Sequence, residues 1–132
     1  MADSLDFQIA QGADWAVQLV FKNDDGSVQN LTGCAAHMQI RAFPLSPVAI
    51  VDLSTAAGTM TINGPLGQIN WTVPGATTLL YQPPAALSQP NPLNPNVVPF
   101  GYWDLFIQWP GGALIKELYG QVSLLLDITR PF

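Results

Sequence analysis

Apolar side chains recur at every second position through much of this chain, and that period restricts it to β-structure. Residues 14–21 show the pattern most clearly, because Trp15, Val17, Leu19 and Phe21 fall on one side of an extended segment. Successive side chains of a strand point to opposite faces, so this segment is predicted to bury one face and expose the other. Further strand-like segments are residues 34–43, 48–54, 59–63, 68–73, 102–109 and 113–128.

Turn signals separate these segments. Asp25-Gly26 is typical of a hairpin, because glycine supplies the positive φ that tight turns need. Residues 64–67 and 110–112 are predicted turns as well, residues 74–81 are predicted to contain one helical turn, and Gly120 is predicted at a bulge or bend. The predicted fold is all-β, a single domain over residues 1–132 with seven to eight antiparallel strands in a sandwich or barrel.

The four tryptophans lie in predicted strands. Trp15, Trp71 and Trp103 are in phase with aliphatic positions, which favours core packing over a carbohydrate-binding platform. Trp109 adjoins the turn at 110–112 and is the candidate exposed aromatic. The other predicted core positions are Val17, Leu19, Phe21, Cys34, Ala36, Met38, Ile40, Met60, Ile62, Ile69, Val73, Leu105, Ile107, Leu118, Val122, Leu124, Leu126 and Ile128.

One long segment departs from the pattern. Residues 82–99, QPPAALSQPNPLNPNVVP, contain six prolines. Proline lacks the backbone donor and holds φ near one value, so the segment is predicted to join neither a helix nor a sheet. Long connections of this kind in compact domains are usually functional loops or disordered linkers. We call residues 82–99 the arm.

The composition is unusually poor in charge. Charged residues make up 10% of the 132 residues and hydrophobic residues 48%, with a mean hydropathy of +0.24. Ordinary proteins carry roughly 25% charged residues. A lone globule of this composition would expose apolar surface, which usually marks contact with partners. The composition therefore indicates a subunit of a larger assembly; the alternative is a monomer with a polar but uncharged surface.

The charge, the cysteine count and the amino-terminal sequence argue against several classes of protein. A net charge of −5 with four basic residues argues against nucleic-acid binding, which needs clustered Lys and Arg. The single Cys34 cannot form an internal disulfide. The first ten residues lack the basic start of a secretory signal, and no apolar run has membrane-spanning length. We expect a protein made in the cytosol, with no membrane partner.

No catalytic or metal-binding motif stands out. His37 is the only histidine and is predicted on the outward face of its strand, opposite to Cys34. Nucleophilic catalysis needs a base beside the nucleophile, and zinc normally needs several Cys and His ligands. Asp104 and Glu117 on neighbouring strands are a weak candidate acid and base pair. The sequence predicts no enzyme, no cofactor and no metal.

The chain resembles a family of small bacteriophage virion proteins with an immunoglobulin-like β-sandwich, related to the amino-terminal domains of phage upper-baseplate and tail-fibre proteins. The resemblance lies in Gln11-Gly12 before the Trp15 strand, Asp25-Gly26, and Leu31-Thr32-Gly33 leading into residues 38–41. It continues in Asp104-Leu105, residues 120–122 and Thr129-Arg130, and it covers nearly all of the chain except the arm.

The resemblance implies a non-enzymatic structural role in the virion, in the tail, at a baseplate or at a tail-fibre attachment. It implies synthesis in the bacterial host cytoplasm and a homo-oligomer that contacts copies of itself and other virion proteins. Alternatives are a capsid decoration protein and a host-surface carbohydrate or receptor-binding module. The arm is then predicted to reach onto an adjacent subunit, with Leu87, Leu93, Val97 and Val98 as apolar anchors, because extended proline-rich segments lose little entropy on binding. The alternative is a surface insertion with no partner.

Overall fold

In a computed structural model of the chain, residues 3–82 and 97–126 are described. Their strands, in chain order, are β1 (Asp3–Ser4), β2 (Phe7–Ala10), β3 (Trp15–Val20), β4 (Ala35–Arg41), β5 (Val51–Ser54), β6 (Met60–Asn63), β7 (Gln68–Val73), β8 (Val97–Gln108) and β9 (Leu114–Leu125). One helical turn, α1 (Gly75–Thr78), follows β7. β1 and β2 pair with β9 in one continuous register, so they act as one interrupted strand.

The strands form two sheets that face each other. The larger sheet has the order β1/β2–β9–β8–β4–β5, and the smaller one has the order β3–β7–β6. All pairs are antiparallel except those of β1 and β2 with β9. In immunoglobulin lettering the larger sheet is A′GFCC′ and the smaller one is BED; the described residues thus include the C′ strand of variable-type domains but no C″ strand. The chain is therefore an immunoglobulin-like β-sandwich, as predicted.

Aromatic rings occupy the centre of the core. The ring of Phe7 lies 4.7 Å from that of Trp103 and 5.6 Å from that of Trp15, and the ring of Trp71 lies 5.6 Å from that of Trp15. Edge-to-face and tilted contacts at these distances add to the stabilisation from burial alone. The prediction that Trp15, Trp71 and Trp103 pack in the core is confirmed. These rings fill the space between the two sheets, where antibody domains carry a disulfide.

The predicted strands and turns are largely confirmed. Gly26 has φ +86° in the turn after β3, and Gly111 and Gly112 have φ +99° and +97° in the hairpin between β8 and β9. Met38, Ile40, Leu105 and Ile107 are fully buried, as their alternation predicts. Ile128 lies outside the described residues.

Two predictions are wrong. Residues 97–99 belong to β8 and pair with β9 opposite Leu125, Leu124 and Ser123, so the sheet takes in the end of the arm. Pro99 is accepted there because the register shifts directly after it, and proline in sheets is confined to edges and bulges. Gly120 does not sit at a bulge. The register shifts leave Phe100 on β8 and Glu117 on β9 without an opposite residue, whereas Gly120 pairs regularly with Trp103.

Gly120 serves a different purpose, which is the close approach of the amino-terminal segment. The Leu5 carbonyl oxygen lies directly over Gly120, where any Cβ would collide with it. From this position it accepts a hydrogen bond of 2.7 Å from the Trp103 indole. Asp6 accepts a second bond of 2.9 Å from the backbone N–H of Gln121. These contacts hold the chain across the break between β1 and β2.

The helical turn α1 is fixed to the connection between β2 and β3. Thr78 is fully buried, and its hydroxyl donates to the Ala13 carbonyl oxygen at 2.7 Å and accepts from the Gly12 N–H at 3.0 Å. Asp14 accepts from the Gly75 N–H at 2.7 Å. Within the described ranges, no helix has the length and apolar character needed to cross a membrane.

Gly120→Ala is expected to lower the free energy of unfolding by about 2 kcal/mol, because the new methyl group displaces the Leu5 carbonyl and its bond to Trp103. Urea denaturation measures this loss. Gln121→Ala changes an exposed neighbour on the same strand and should alter stability by less than about 0.5 kcal/mol. Equal stability of Gly120→Ala and the unaltered protein would contradict this account of the edge.

Candidate functional site

The outward side of the larger sheet carries most of the chain's varied chemistry. On β4 and β8 the outward residues alternate with buried ones, and the bulge at Glu117 brings both Lys116 and Tyr119 of β9 to the same side. A groove of about 530 Å³ lies on this side, and Pro44 from the loop after β4 contributes to its wall. We call this surface the outer face; it comprises His37, Gln39, Arg41, Asp52, Tyr102, Asp104, Phe106, Lys116 and Tyr119.

A hydrogen-bonded polar network covers the β4–β5 half of the outer face. Asp52 lies opposite Gln39 in the ladder and accepts from its amide at 2.9 Å, and a ring nitrogen of His37 lies 2.7 Å from the other carboxylate oxygen. The Gln39 hydrogen bond, followed by that of His37, holds the pKa of Asp52 below its usual value. Arg41 donates to the Gln39 side-chain oxygen at 2.8 Å.

The same network fixes the loop that follows β4. Arg41 donates from its other terminal nitrogen to the Ser46 carbonyl oxygen at 2.7 Å, and the Ser46 N–H bonds to the Phe43 carbonyl oxygen at 3.0 Å. The loop nevertheless exposes large apolar side chains: Leu45 is 94% exposed and Val48 68%. We call residues 42–50 the apolar loop. Its backbone is held by these hydrogen bonds, while the side chains of Phe43, Leu45 and Val48 are exposed.

Aromatic rings and one ion pair occupy the β8–β9 half. The ammonium of Lys116 lies 3.4 Å from the Asp104 carboxylate and 5.6 Å from the centre of the Phe106 ring. Tyr102 and Tyr119 are 38% and 45% exposed. Rings that combine an apolar face with a hydroxyl are typical of recognition surfaces, as is arginine.

The chemistry on this face suits non-covalent recognition. His37 and Asp52 are both more than half exposed, which leaves their pair strongly hydrated. Burial, followed by the charge of Glu117, raises the pKa of the Cys34 thiol, the opposite of the shift that activates a nucleophilic thiol. Among the described residues, no group of three or more His, Cys, Asp and Glu side chains is placed to hold a metal.

Of the four arm residues predicted as anchors, Val97 and Val98 lie among the described residues. Val98 is 3% exposed and belongs to the core cluster, so its prediction as a partner-binding anchor is wrong. Val97 is half-buried in β8. Leu87 and Leu93 lie outside the described residues, and their role stays a prediction.

Trp109 is half-buried against the core cluster, and its indole nitrogen is buried without a hydrogen-bond partner among the described residues. It is therefore not a displayed aromatic platform. On the outer face the exposed rings include those of Tyr102 and Tyr119, which were not predicted from the sequence. The signal was present as polar and aromatic residues at every second position in 37–41 and 102–106, but only strand pairing joins the two runs.

No protein-family model and no curated protein sequence matches the chain. Solved structures similar to it include Drosophila OTK extracellular domains 3–5, at 9% identity and a TM-score of 0.38, with 94% of this chain and 33% of that one covered. Murine CRIg aligns at 12% identity and a TM-score of 0.40, covering 92% of each chain. A structure from a study of cell-adhesive VGSC beta subunits aligns at 11% identity and 0.41, covering 90% and 91%.

The chain thus spans a third of the OTK structure. Similarity at this level of identity and TM-score carries no inference about activity or partners.

Asp52→Asn is expected to destabilise the fold at neutral pH by at most about 1 kcal/mol, because the group is exposed. Folding lowers the pKa of Asp52, so its ionised form stabilises the fold above the ordinary carboxyl pKa. That contribution is lost as the pH falls through the folded-state pKa. Urea denaturation from about pH 7 to about pH 3 should therefore show the two proteins converging in stability.

Gln39→Ala provides the matched control, because it removes the hydrogen bond that lowers the pKa of Asp52 most. In that background the effect of Asp52→Asn at neutral pH should be smaller. A stability difference that grows towards low pH would contradict the assigned direction.

Proposed function

We propose that the chain is a non-enzymatic structural component of a bacteriophage virion, located in the tail at a baseplate or tail-fibre attachment. It acts through protein–protein contacts in a symmetric assembly, binding copies of itself and other virion proteins. The assignment to a virion rests on the resemblance of the sequence to the phage family. The assembly role is supported by one main observation, the exposure of large apolar side chains on a domain with few charges.

Part of that exposure is concentrated in the apolar loop, although other exposed apolar residues, such as Leu66 and Leu80, lie elsewhere. Single exposed apolar residues are normal on any protein and need no explanation. Here Phe43, Leu45 and Val48 lie in one loop of nine residues, and Pro44 of that loop borders the groove of the outer face. An exposed apolar cluster of this kind, here beside the outer face, is typical of proteins that bind other proteins.

The groove supports a second candidate, a host-surface carbohydrate or receptor-binding module. Tyr102 and Tyr119 are exposed there beside the Asp104 carboxylate, a combination suited to stacking and hydrogen bonding with a sugar. Binding of the isolated chain to host polysaccharide would favour this candidate. The apolar loop favours the assembly role, because a sugar in the groove leaves Leu45 without a partner.

The copy number in intact particles tests the virion assignment. Purified particles of the phage that encodes the chain should contain it, at a handful to a few dozen copies for a tail position. Quantitative mass spectrometry gives the number, and electron microscopy with a labelled chain gives the location. On the order of hundreds of copies would instead indicate capsid decoration, and absence from the particles would overturn the proposal.

The arm provides a further prediction. Deleting residues 84–95, which stops short of β8, should reduce incorporation into particles about tenfold if the arm contacts a neighbouring subunit. Because short loops can be costly to close, circular dichroism melting must show that the shortened chain is folded before its incorporation is scored. A matched variant, Leu87→Ser with Leu93→Ser, keeps the length and removes two predicted anchors. Normal incorporation of both variants would rule out the arm as a contact.

A further inference from the structure

We propose that the outer face and the apolar loop together form the surface through which two copies of this chain associate about a two-fold axis. This deepens the proposed function by naming the surface and its occupant, and it rests on that function for its biological meaning. Charge, exposed apolar area and the order of the strands support a second copy as the occupant.

The charge distribution favours a second copy. The outer face carries two cations and two carboxylates at neutral pH, Arg41 and Lys116 with Asp52 and Asp104, and so has no net charge. The rest of the described residues carry six carboxylates and one cation, namely Asp3, Asp6, Asp14, Asp24, Asp25, Glu117 and Lys22. Two copies of an acidic protein repel each other over most of their surfaces. Two copies can meet through the balanced outer face without that repulsion. The strands of the smaller sheet also lack charged residues, but its outward side offers neither complementary charges nor an exposed aromatic ring.

Exposed apolar side chains of the groove and the apolar loop would contribute to the same interface. Tyr102, Tyr119 and Phe106 line the groove, and Leu114, 64% exposed, also contributes to its lining. The apolar loop stands at the other side, with Leu45 almost fully exposed. Interface centres are enriched in tyrosine, phenylalanine and arginine, and stable interfaces cover about a tenth of a small protein's surface. A partner of protein size covers both the groove and the loop, whereas a small ligand covers only the groove.

The backbone of the apolar loop is held in place in the unbound chain. The bond from Arg41 to the Ser46 carbonyl oxygen and the bond within residues 43–46 hold its backbone before any partner arrives. A segment that is already ordered loses less entropy on association, and the affinity gained from its apolar side chains is correspondingly larger.

The strand order allows a two-fold arrangement. β8 lies between β4 and β9 in the sheet. Two such sheets packed face to face about an axis that runs along β8 place β9 of each copy over β4 of the other. Lys116 of each copy then approaches the side of the face where Asp52 of the other lies. In a two-fold interface every such contact occurs twice, so one favourable pairing is doubled.

The primary test is the oligomeric state of the full chain in solution. Sedimentation equilibrium over a range of concentrations should show a monomer–dimer equilibrium with a Kd in the micromolar range. Tyr119→Glu should raise the Kd at least tenfold. Val20→Glu is the matched control, because Val20 is 47% exposed against 45% for Tyr119 but lies on the smaller sheet, and its Kd should stay within twofold of the unaltered protein.

A charge exchange tests the two-fold geometry. Lys116→Asp and Asp52→Lys should each impair self-association, because each places like charges together twice in its own dimer. Mixed together, the two variants should form a heterodimer, since both contacts then join opposite charges. Circular dichroism melting confirms that each variant is folded before its association is measured.

Three results would each overturn the inference. They are a chain that remains monomeric at about 1 mM, a Val20→Glu variant that raises the Kd as much as Tyr119→Glu, and a charge-exchanged mixture that forms no heterodimer. The outcomes remain separate from those of the proposed function. A monomer in solution that is present in particles overturns only the self-association surface. A dimer in solution that is absent from every particle overturns only the virion role.

Discussion

The ladder between β8 and β9 is the constraint on which the rest of this molecule depends. Both strands are twelve residues long, and β9 is paired on its other edge with the amino-terminal strand, so it lies inside the sheet along most of its length. The ladder supplies both the buried positions Trp103 and Leu105 and the outward-facing positions Tyr102 and Asp104. The core and the outer face therefore lie on opposite sides of the same β8–β9 ladder.

The bulge at Glu117 decides what that pairing displays. With strict alternation along β9, Lys116 would share a face with Leu118, which packs against the core. The extra residue shifts the phase, so Lys116 and Tyr119 point outwards together. The groove with its ion pair to Asp104 exists because of this one irregularity. A regular hairpin of the same composition would have buried the cation or exposed a core leucine.

Much of the fold follows from the sequence, because period-two burial and turn chemistry are local properties. The hairpin from Met60 to Val73 and the helical turn at Gly75–Thr78 were both predictable from a few neighbouring residues. The extension of β8 back to Val97 was not, since a proline at 99 argues against a strand unless a bulge receives it. The role of Gly120 was hidden too, because the atom that excludes a side chain there belongs to Leu5.

The candidate site was harder to predict for the same physical reason. Its residues come from runs more than sixty positions apart, and their chemistry appears only when β4 is laid beside β8. Val98 shows the converse error: an apolar residue near a proline-rich segment was interpreted as an anchor, although its strand carries it into the core. Local patterns predict which face a side chain takes, and pairing decides what that face does.

The junction around α1 has a consequence for how such a protein can diversify. Thr78 secures one end of the helical connection, and Tyr81 stacks on Phe100 with ring centres 5.2 Å apart, so Tyr81 and Phe100 fix the chain on either side of residues 83–96. The sandwich does not need to be redesigned when the number of residues between those two points changes. Related lineages can lengthen, shorten or exchange that stretch as a cassette, and laboratory grafting of foreign peptides is most readily accommodated at the same place.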